Sequence, residues 1–280
     1  MEYLAGRGRR LTRYPPSTYT HWLGPVIDIA WRAGAEILKV YESGDVNLKH
    51  KDDRTPVTRA DLVAHQAIVE GLTALTPEWP VLSEESSDID YEERARWSRY
   101  WLVDPLDGTR EFLSRNGEFT VNIALIDDHE PVLGVVYAPA RQMLYYGIPG
   151  TGAFRAHADE PATAIVVQRH APNPLRVVGS RSHRGDSLDT LLSHLGEHQM
   201  IAIGSSLKLC MIAEGSADLY PRLGTTAEWD TAAAHAVVLA AGGYVTTTAG
   251  TPLSYNHSPD LLNPHFLVFA DRDRQWHRLL

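Results

Sequence analysis

Apolar residues recur at helical spacing along the first third of the chain. Val26, Ile29, Ala30, Ala33, Ile37 and Val40 form one stripe, and Pro25 suits the first turn of the helix that carries it. A second stripe, Leu62, Ile68, Leu72 and Leu75, predicts a helix from Thr58 to the breaker Pro77. Short apolar runs then take over. Val81 and Leu82 predict a strand entering Ser83, Glu84 and Glu85. The run 100–103 predicts a buried strand that stops at Asp104 and Pro105, with a short helix opening around Asp107, Gly108 and Thr109. Runs 120–126 and 132–137, joined by the polar turn 127–130, with further strands at 143–146 and near Phe154, predict an antiparallel meander.

Beyond Pro172 and Pro174 short strands and helices alternate, at 175–178, 188–195, 200–203, 207–214, 231–241 and 244–247. The fold class is therefore α+β / α/β. Its expected parts are a mobile basic arm over 1–20, carrying Arg7, Arg9, Arg10 and Arg13, an N-terminal α+β subdomain over 21–170, and a C-terminal α/β subdomain over 171–280. No internal repeat links the halves.

Composition narrows the classes. With 280 residues and 44% hydrophobic content the chain can build one large core or two packed subdomains. Thirty-five acidic against 26 basic residues give a net charge of −9, the wrong sign for a general nucleic-acid or anionic-membrane binder. A single cysteine, Cys210, excludes an intrachain disulfide and a cysteine-based zinc site. With no apolar run long enough to span a bilayer and no secretory h-region, a cytoplasmic protein is expected.

Against this background the carboxylates stand out. Asp104 and Asp107 flank Pro105 where an apolar strand gives way to a helix, Gly108 admits close approach to the backbone, and the opening turn offers N–H groups to a phosphate. Glu84 and Glu85 follow another strand, and Asp230 precedes the alanine-rich helix. Four carboxylates in one crevice repel one another unless a cation is supplied, and an all-oxygen set favours Mg²⁺, Mn²⁺ or Ca²⁺. Each residue also has a plainer reading: Asp107 and Asp230 as helix caps, Glu84 and Glu85 as a solvated acidic loop. Thr58 and Asp61 likewise stand at the spacing of a capping box.

Glu84-Glu85, Asp104 to Thr109 and Trp229-Asp230 together resemble the signature of the inositol monophosphatase superfamily. Pro56-Val57-Thr58 with Asp61, the run 81–85, Gly204 to Lys208, and Leu219-Tyr220-Pro221-Arg222 resemble more specifically its CysQ-type 3′(2′),5′-bisphosphate nucleotidases, over roughly 25–270. The resemblance implies a layered αβαβα sandwich. It implies two or three Mg²⁺, replaceable by Mn²⁺, on Glu84, Asp104, the Leu106 carbonyl, Asp107 and Asp230, and inhibition by Li⁺. It assigns Asp61, Thr109 and Glu85 to the attacking water, and Asp107, Gly108, Thr109, His183, Ser205, Lys208, Arg222 and Asp230 to a small phosphorylated nucleotide. Either a monomer or a homodimer is compatible with it. Inositol monophosphate or a sugar bisphosphate is the alternative substrate class.

Other readings lack partners. Ser205 and Lys208 fit Ser-x-x-Lys, but no Lys-Thr-Gly or Ser-Asp-Asn accompanies them. Gly147, Gly150 and Gly152 read as hairpin turns and Cys210 as a small buried apolar residue. A phosphometabolite sensor that has lost its chemistry is disfavoured because every carboxylate, Thr109 and Asp61 are in place.

Overall fold

The computed structural model describes residues 15–44, 49–50, 56–158, 160–179 and 186–278. Its helices are α1 (Thr20–Ser43), α2 (Arg59–Leu75), α3 (Tyr91–Arg94), α4 (Thr109–Leu113), α5 (Asp186–Leu195), α6 (Leu207–Ala213) and α7 (Ala232–Ala240). Its strands are β1 (Lys49–His50), β2 (Pro56–Val57), β3 (Val81–Ser83), β4 (Arg99–Asp107), β5 (Thr120–Asp127), β6 (Glu130–Ala138), β7 (Met143–Ile148), β8 (Gly152–His157), β9 (Thr163–Ile165), β10 (Leu175–Gly179), β11 (His198–Ala202), β12 (Leu219–Arg222), β13 (Tyr244–Thr247) and β14 (Phe266–Phe269).

β3 to β9 form a seven-stranded sheet in sequence order, antiparallel except for the β3–β4 pair. A second sheet has the order β11-β10-β12-β14-β13. Alternation along the strands explains the layering, because successive side chains face opposite sides. Trp101, Val103, Ile123 and Leu125 pack with Ile29, Ile37, Ile68 and Leu72 of α1 and α2. Tyr100, Leu102, Ala124 and Ile126 point the other way and share a core with α6, α7 and the inner face of the second sheet, including Val178, Tyr220 and Val268. Leu175, Val177, Leu219 and Leu267 bury the outer face of that sheet beneath Trp276 and, from α5, Leu192 and Leu195. The result is the expected helix–sheet–helix–sheet–helix sandwich.

α7 comes closest to β6 and β7 at two glycines. A methyl group placed on Gly134 would stand 2.0 Å from the Ala233 carbonyl, and one on Gly147 2.7 Å from the Ala240 Cβ. Gly147 is thus a packing position inside β7 rather than a turn residue, whereas Gly150, at φ 86°, does sit in the β7–β8 turn.

Three local expectations are corrected. Pro25 lies inside α1, which starts five residues earlier. Tyr19, assigned to the arm, is buried and its hydroxyl donates to Asp127 Oδ2 at 2.7 Å, while Trp22 meets Trp79 edge-on. These long-range anchors, invisible to local periodicity, start the helix. β4 also continues through Pro105 to Asp107 instead of stopping at Asp104. Of the rest of the expected arm, Pro16–Tyr19 form a 3₁₀ helix and Thr20 opens α1, while residues 1–14 lie outside the described residues. Among the described residues no helix is long and apolar enough to cross a membrane.

Candidate active site

β4 pairs in register with β5 from Arg99↔Asp127 to Asp104↔Asn122, then resumes at Asp107↔Thr120. Three steps on β4 thus oppose two on β5, a β-bulge, and Pro105 lies within it, where no ladder N–H is required. Residues three apart on a regular strand face opposite sides; the extra residue in the bulge returns Asp107 to the side of Asp104. The Leu106 N–H donates to Asp104 Oδ1 at 3.0 Å and locks the kink. Gly108 then adopts φ 93°, a left-handed conformation glycine takes without strain, and α4 begins at Thr109.

Asp230 arrives from the second half of the chain, in the 3₁₀ turn Glu228–Asp230 ahead of α7, where its Oδ2 accepts the Ala227 N–H at 2.9 Å. One ligand oxygen from each of Asp104, Asp107 and Asp230 lies within 4.8 Å of the others. Ser206 ties the two halves together. Its N–H donates to Asp107 Oδ2 at 2.6 Å, and its hydroxyl lies 2.9 Å from the same oxygen and 2.6 Å from the Asp230 carbonyl. Asn122 Nδ2 donates to the Ser206 hydroxyl at 2.8 Å.

Burial pushes the Asp104 carboxyl well above the ordinary carboxylate range, and the charges of Glu84, Asp107, Asp230 and Asp61 push it further. Asp230 rises to about 8, chiefly from burial and then from Asp107 and Glu84, although the Ala227 N–H and the charge of Arg222 oppose the rise. Among the described residues no lysine or arginine forms an ion pair with Asp104, Asp107 or Asp230. The cluster is therefore a set of hard oxygen donors whose charge no ion pair among the described residues neutralises. A divalent cation of the Mg²⁺ type fits it on chemical grounds.

The remaining positions divide. Glu84 opens the 3₁₀ turn Glu84–Ser86 at the end of β3 and acts on the cluster through its charge. Asp61 is buried in the first turn of α2, where its Oδ2 accepts the Thr58 N–H at 2.7 Å and the Thr58 hydroxyl at 2.6 Å, completing the capping box. Burial raises its pKa to about 6, the Thr58 bonds oppose that, and Glu85 adds to it. Asp61 thus both caps α2 and faces the cluster; among the described residues its side-chain hydrogen bonds go to Thr58 rather than to Thr109. Ser205, at φ 50°, and Lys208 are buried, with Lys208 Nζ donating to the Ser205 carbonyl at 2.5 Å and lying 5.8 Å from the Tyr220 ring centroid. Desolvation lowers the Lys208 pKa, against the pull of Asp107. Arg222 donates through Nη2 to the Thr225 carbonyl at 2.6 Å, while its buried Nε has no hydrogen-bond partner among the described residues. His183 lies outside the described residues.

Ser206, within the Gly204 to Lys208 motif, and Asn122 hold the carboxylates in place, a role that the resemblance left unassigned. An asparagine in the middle of the apolar run 120–126 is the one local signal, since a polar side chain buried there must find a partner.

Carboxylates from β4 and from the turn ahead of α7 in a layered αβαβα fold, converging on one cation-sized gap, define the inositol monophosphatase class. The chain belongs to the inositol monophosphatase family, whose model matches residues 19–278. It is 50% identical over 247 residues to the 3′(2′),5′-bisphosphate nucleotidase CysQ of Salmonella typhimurium, covering 88% of this chain and 98% of that one. The protein of the same name from Aggregatibacter actinomycetemcomitans is 39% identical over 265 residues, covering 94% and 98%. The crystal structure of CysQ from Bacteroides thetaiotaomicron superposes with a TM-score of 0.78 at 42% identity, covering 92% of this chain and 99% of that one.

Proposed function

We propose that this protein is a divalent-cation-dependent phosphomonoesterase that removes the 3′-phosphate of adenosine 3′,5′-bisphosphate, giving AMP and phosphate. The observation that carries the reading is the convergence of Asp104, Asp107 and Asp230 to within 4.8 Å, in a chain half identical to a nucleotidase of that name. Glu84, Asp104, the Leu106 carbonyl, Asp107 and Asp230 would hold Mg²⁺, with Mn²⁺ a substitute. When bound, such ions supply Lewis-acid polarisation of the phosphate and compensate charge on the leaving oxygen.

The chain's own groups do the rest. Thr58 pins Oδ2 of Asp61, which leaves Oδ1 as the atom that takes a proton from the attacking water. A carboxyl with a pKa of about 6 is ionised at neutral pH yet basic enough to accept that proton. Thr109, with Glu85, orients the water as its oxygen bonds to phosphorus and the ester P–O bond breaks. Ser205, Lys208 and Arg222, joined by His183, bind the nucleotide. Two of these are fitted to hold an anion, Lys208 as a desolvated cation and the buried Arg222 Nε as a donor with no partner among the described residues.

The test is a phosphate-release panel with Mg²⁺ comparing adenosine 3′,5′-bisphosphate, its sulfated analogue, inositol 1-phosphate and fructose 1,6-bisphosphate. The expected result is a kcat/KM for the adenosine bisphosphate far above that for inositol 1-phosphate. Comparable or reversed values would refute the nucleotide assignment.

A further inference from the structure

Behind the Asp230 turn lies a buried polar cluster with no place in the chemistry above. Arg94 is 2% exposed, yet among the described residues no carboxylate forms an ion pair with it. Its guanidinium serves main chain and an amide instead. Nε donates to the Ile89 carbonyl at 3.1 Å, Nη1 to Asn256 Oδ1 at 2.6 Å, and Nη2 to the Pro259 carbonyl at 2.7 Å. Asn256 returns the contact, donating from Nδ2 to the Arg94 carbonyl at 2.7 Å, and holds a left-handed φ of 58°. Its N–H divides between the two oxygens of buried Glu228, at 2.8 and 2.9 Å.

Followed outward, the cluster joins the two ends of the carboxylate site. On one side the Glu228 carbonyl accepts the Thr231 N–H and hydroxyl at 3.3 and 3.1 Å, closing the turn that presents Asp230. On the other, the Ile89 N–H bonds the Ser87 carbonyl at 2.8 Å, and the Ser87 hydroxyl the Glu84 carbonyl at 3.4 Å. Hydrogen bonds thus run from the Glu84 carbonyl to the turn that carries Asp230, and the central ones are buried, where an unmade bond is costly. Glu84 and Asp230 repel, so their segments tend to separate while the cation is absent. A rigid brace between them stores the binding geometry in advance.

We propose that Arg94 is a positioning residue for the cation cluster, holding the Glu84 segment and the Asp230 turn at one spacing through Asn256 and Glu228. The inference rests on the metal-dependent reading above, and it concerns affinity for the ion rather than the chemical step. Partners that orient metal ligands are typically worth about tenfold to a hundredfold in affinity.

The test compares the full chain with Arg94→Met and, to keep the guanidinium, Asn256→Ser. Mn²⁺ binding is measured by calorimetry, and the Mg²⁺ dependence of phosphate release from adenosine 3′,5′-bisphosphate is measured alongside. Both variants are expected to bind Mn²⁺ at least about tenfold more weakly, to need correspondingly more Mg²⁺ for half-maximal turnover, and to recover a near wild-type kcat when Mg²⁺ saturates. If Arg94→Met does not fold, Asn256→Ser decides alone. Mn²⁺ affinity within twofold of wild type in a folded variant, or a fall in kcat at saturating Mg²⁺ with affinity unchanged, overturns the proposal. A wild-type protein that binds Mn²⁺ but releases no phosphate sinks the functional reading instead, and leaves the calorimetric comparison standing.

Discussion

Asp61 has two jobs in the geometry above, and a single substitution separates them. Asparagine keeps an acceptor for the Thr58 N–H and hydroxyl, so Asp61→Asn preserves the α2 cap while removing the charge. The native carboxyl sits at about 6 against an ordinary 3.8. At about 1.4 kcal/mol per tenfold change, the ionised form is penalised by roughly 3 kcal/mol in the folded protein. The sign follows from linkage. A carboxyl whose pKa is raised by folding favours the native state fully below the unfolded value and loses that contribution as pH climbs through the folded value. Urea unfolding with EDTA present is therefore expected to show wild type losing up to roughly 3 kcal/mol relative to Asp61→Asn between about pH 4 and 7, with a constant difference above that. Asp61→Ala should lose about 1 kcal/mol of cap at every pH as well. Both variants should be without turnover. Parallel pH profiles for wild type and Asp61→Asn would remove the electrostatic argument, and an active Asp61→Asn enzyme would remove the proposed base.

Two further outcomes bear on the cluster itself. Asp104→Asn and Asp107→Asn should each cut phosphate release by about a hundredfold to a thousandfold or more while circular dichroism shows a folded chain, because each removes ligand charge at nearly constant shape; retained activity in either would sink the site. Ser206→Ala leaves the Asn122 amide without its hydroxyl acceptor and Asp107 with the Ser206 N–H but not the hydroxyl, so its urea unfolding free energy should fall by about 1–3 kcal/mol, and an unchanged value would show the bridge to be dispensable.

The parts of the fold and site that local chemistry controls were legible. The apolar stripes of α1 and α2 marked helices, and Thr58 marked where α2 begins. Asp104 and Asp107 were legible for the same reason, since Pro105 and Gly108 encode the kink within a few residues. What depends on distant partners was not. β12 escaped notice because Pro221 and Arg222 break the strand pattern; Pro221 is tolerated there because β12 pairs with β10 only at Leu219. β9 and β14 carried no hairpin signal to announce them. Ser206 acts on Asp107 from 99 residues away, and nothing near Ser206 in the chain records that bond. The placement of Asp61 against Asp104 is likewise a product of folding, so spacing alone recorded its cap but not its electrostatic environment.

The bare contact between α7 and the meander has a further consequence. Gly134 and Gly147 let that helix rest on the sheet backbone, and the same helix follows directly on the turn bearing Asp230. At those two points the distance from α7 to the sheet is set by main chain and alanine methyls rather than by larger side chains, and the turn bearing Asp230 is carried at that distance. Two absent methyl groups in the interior therefore act as a gauge for the reaction centre, and adding either would shift the aim of a residue it never touches.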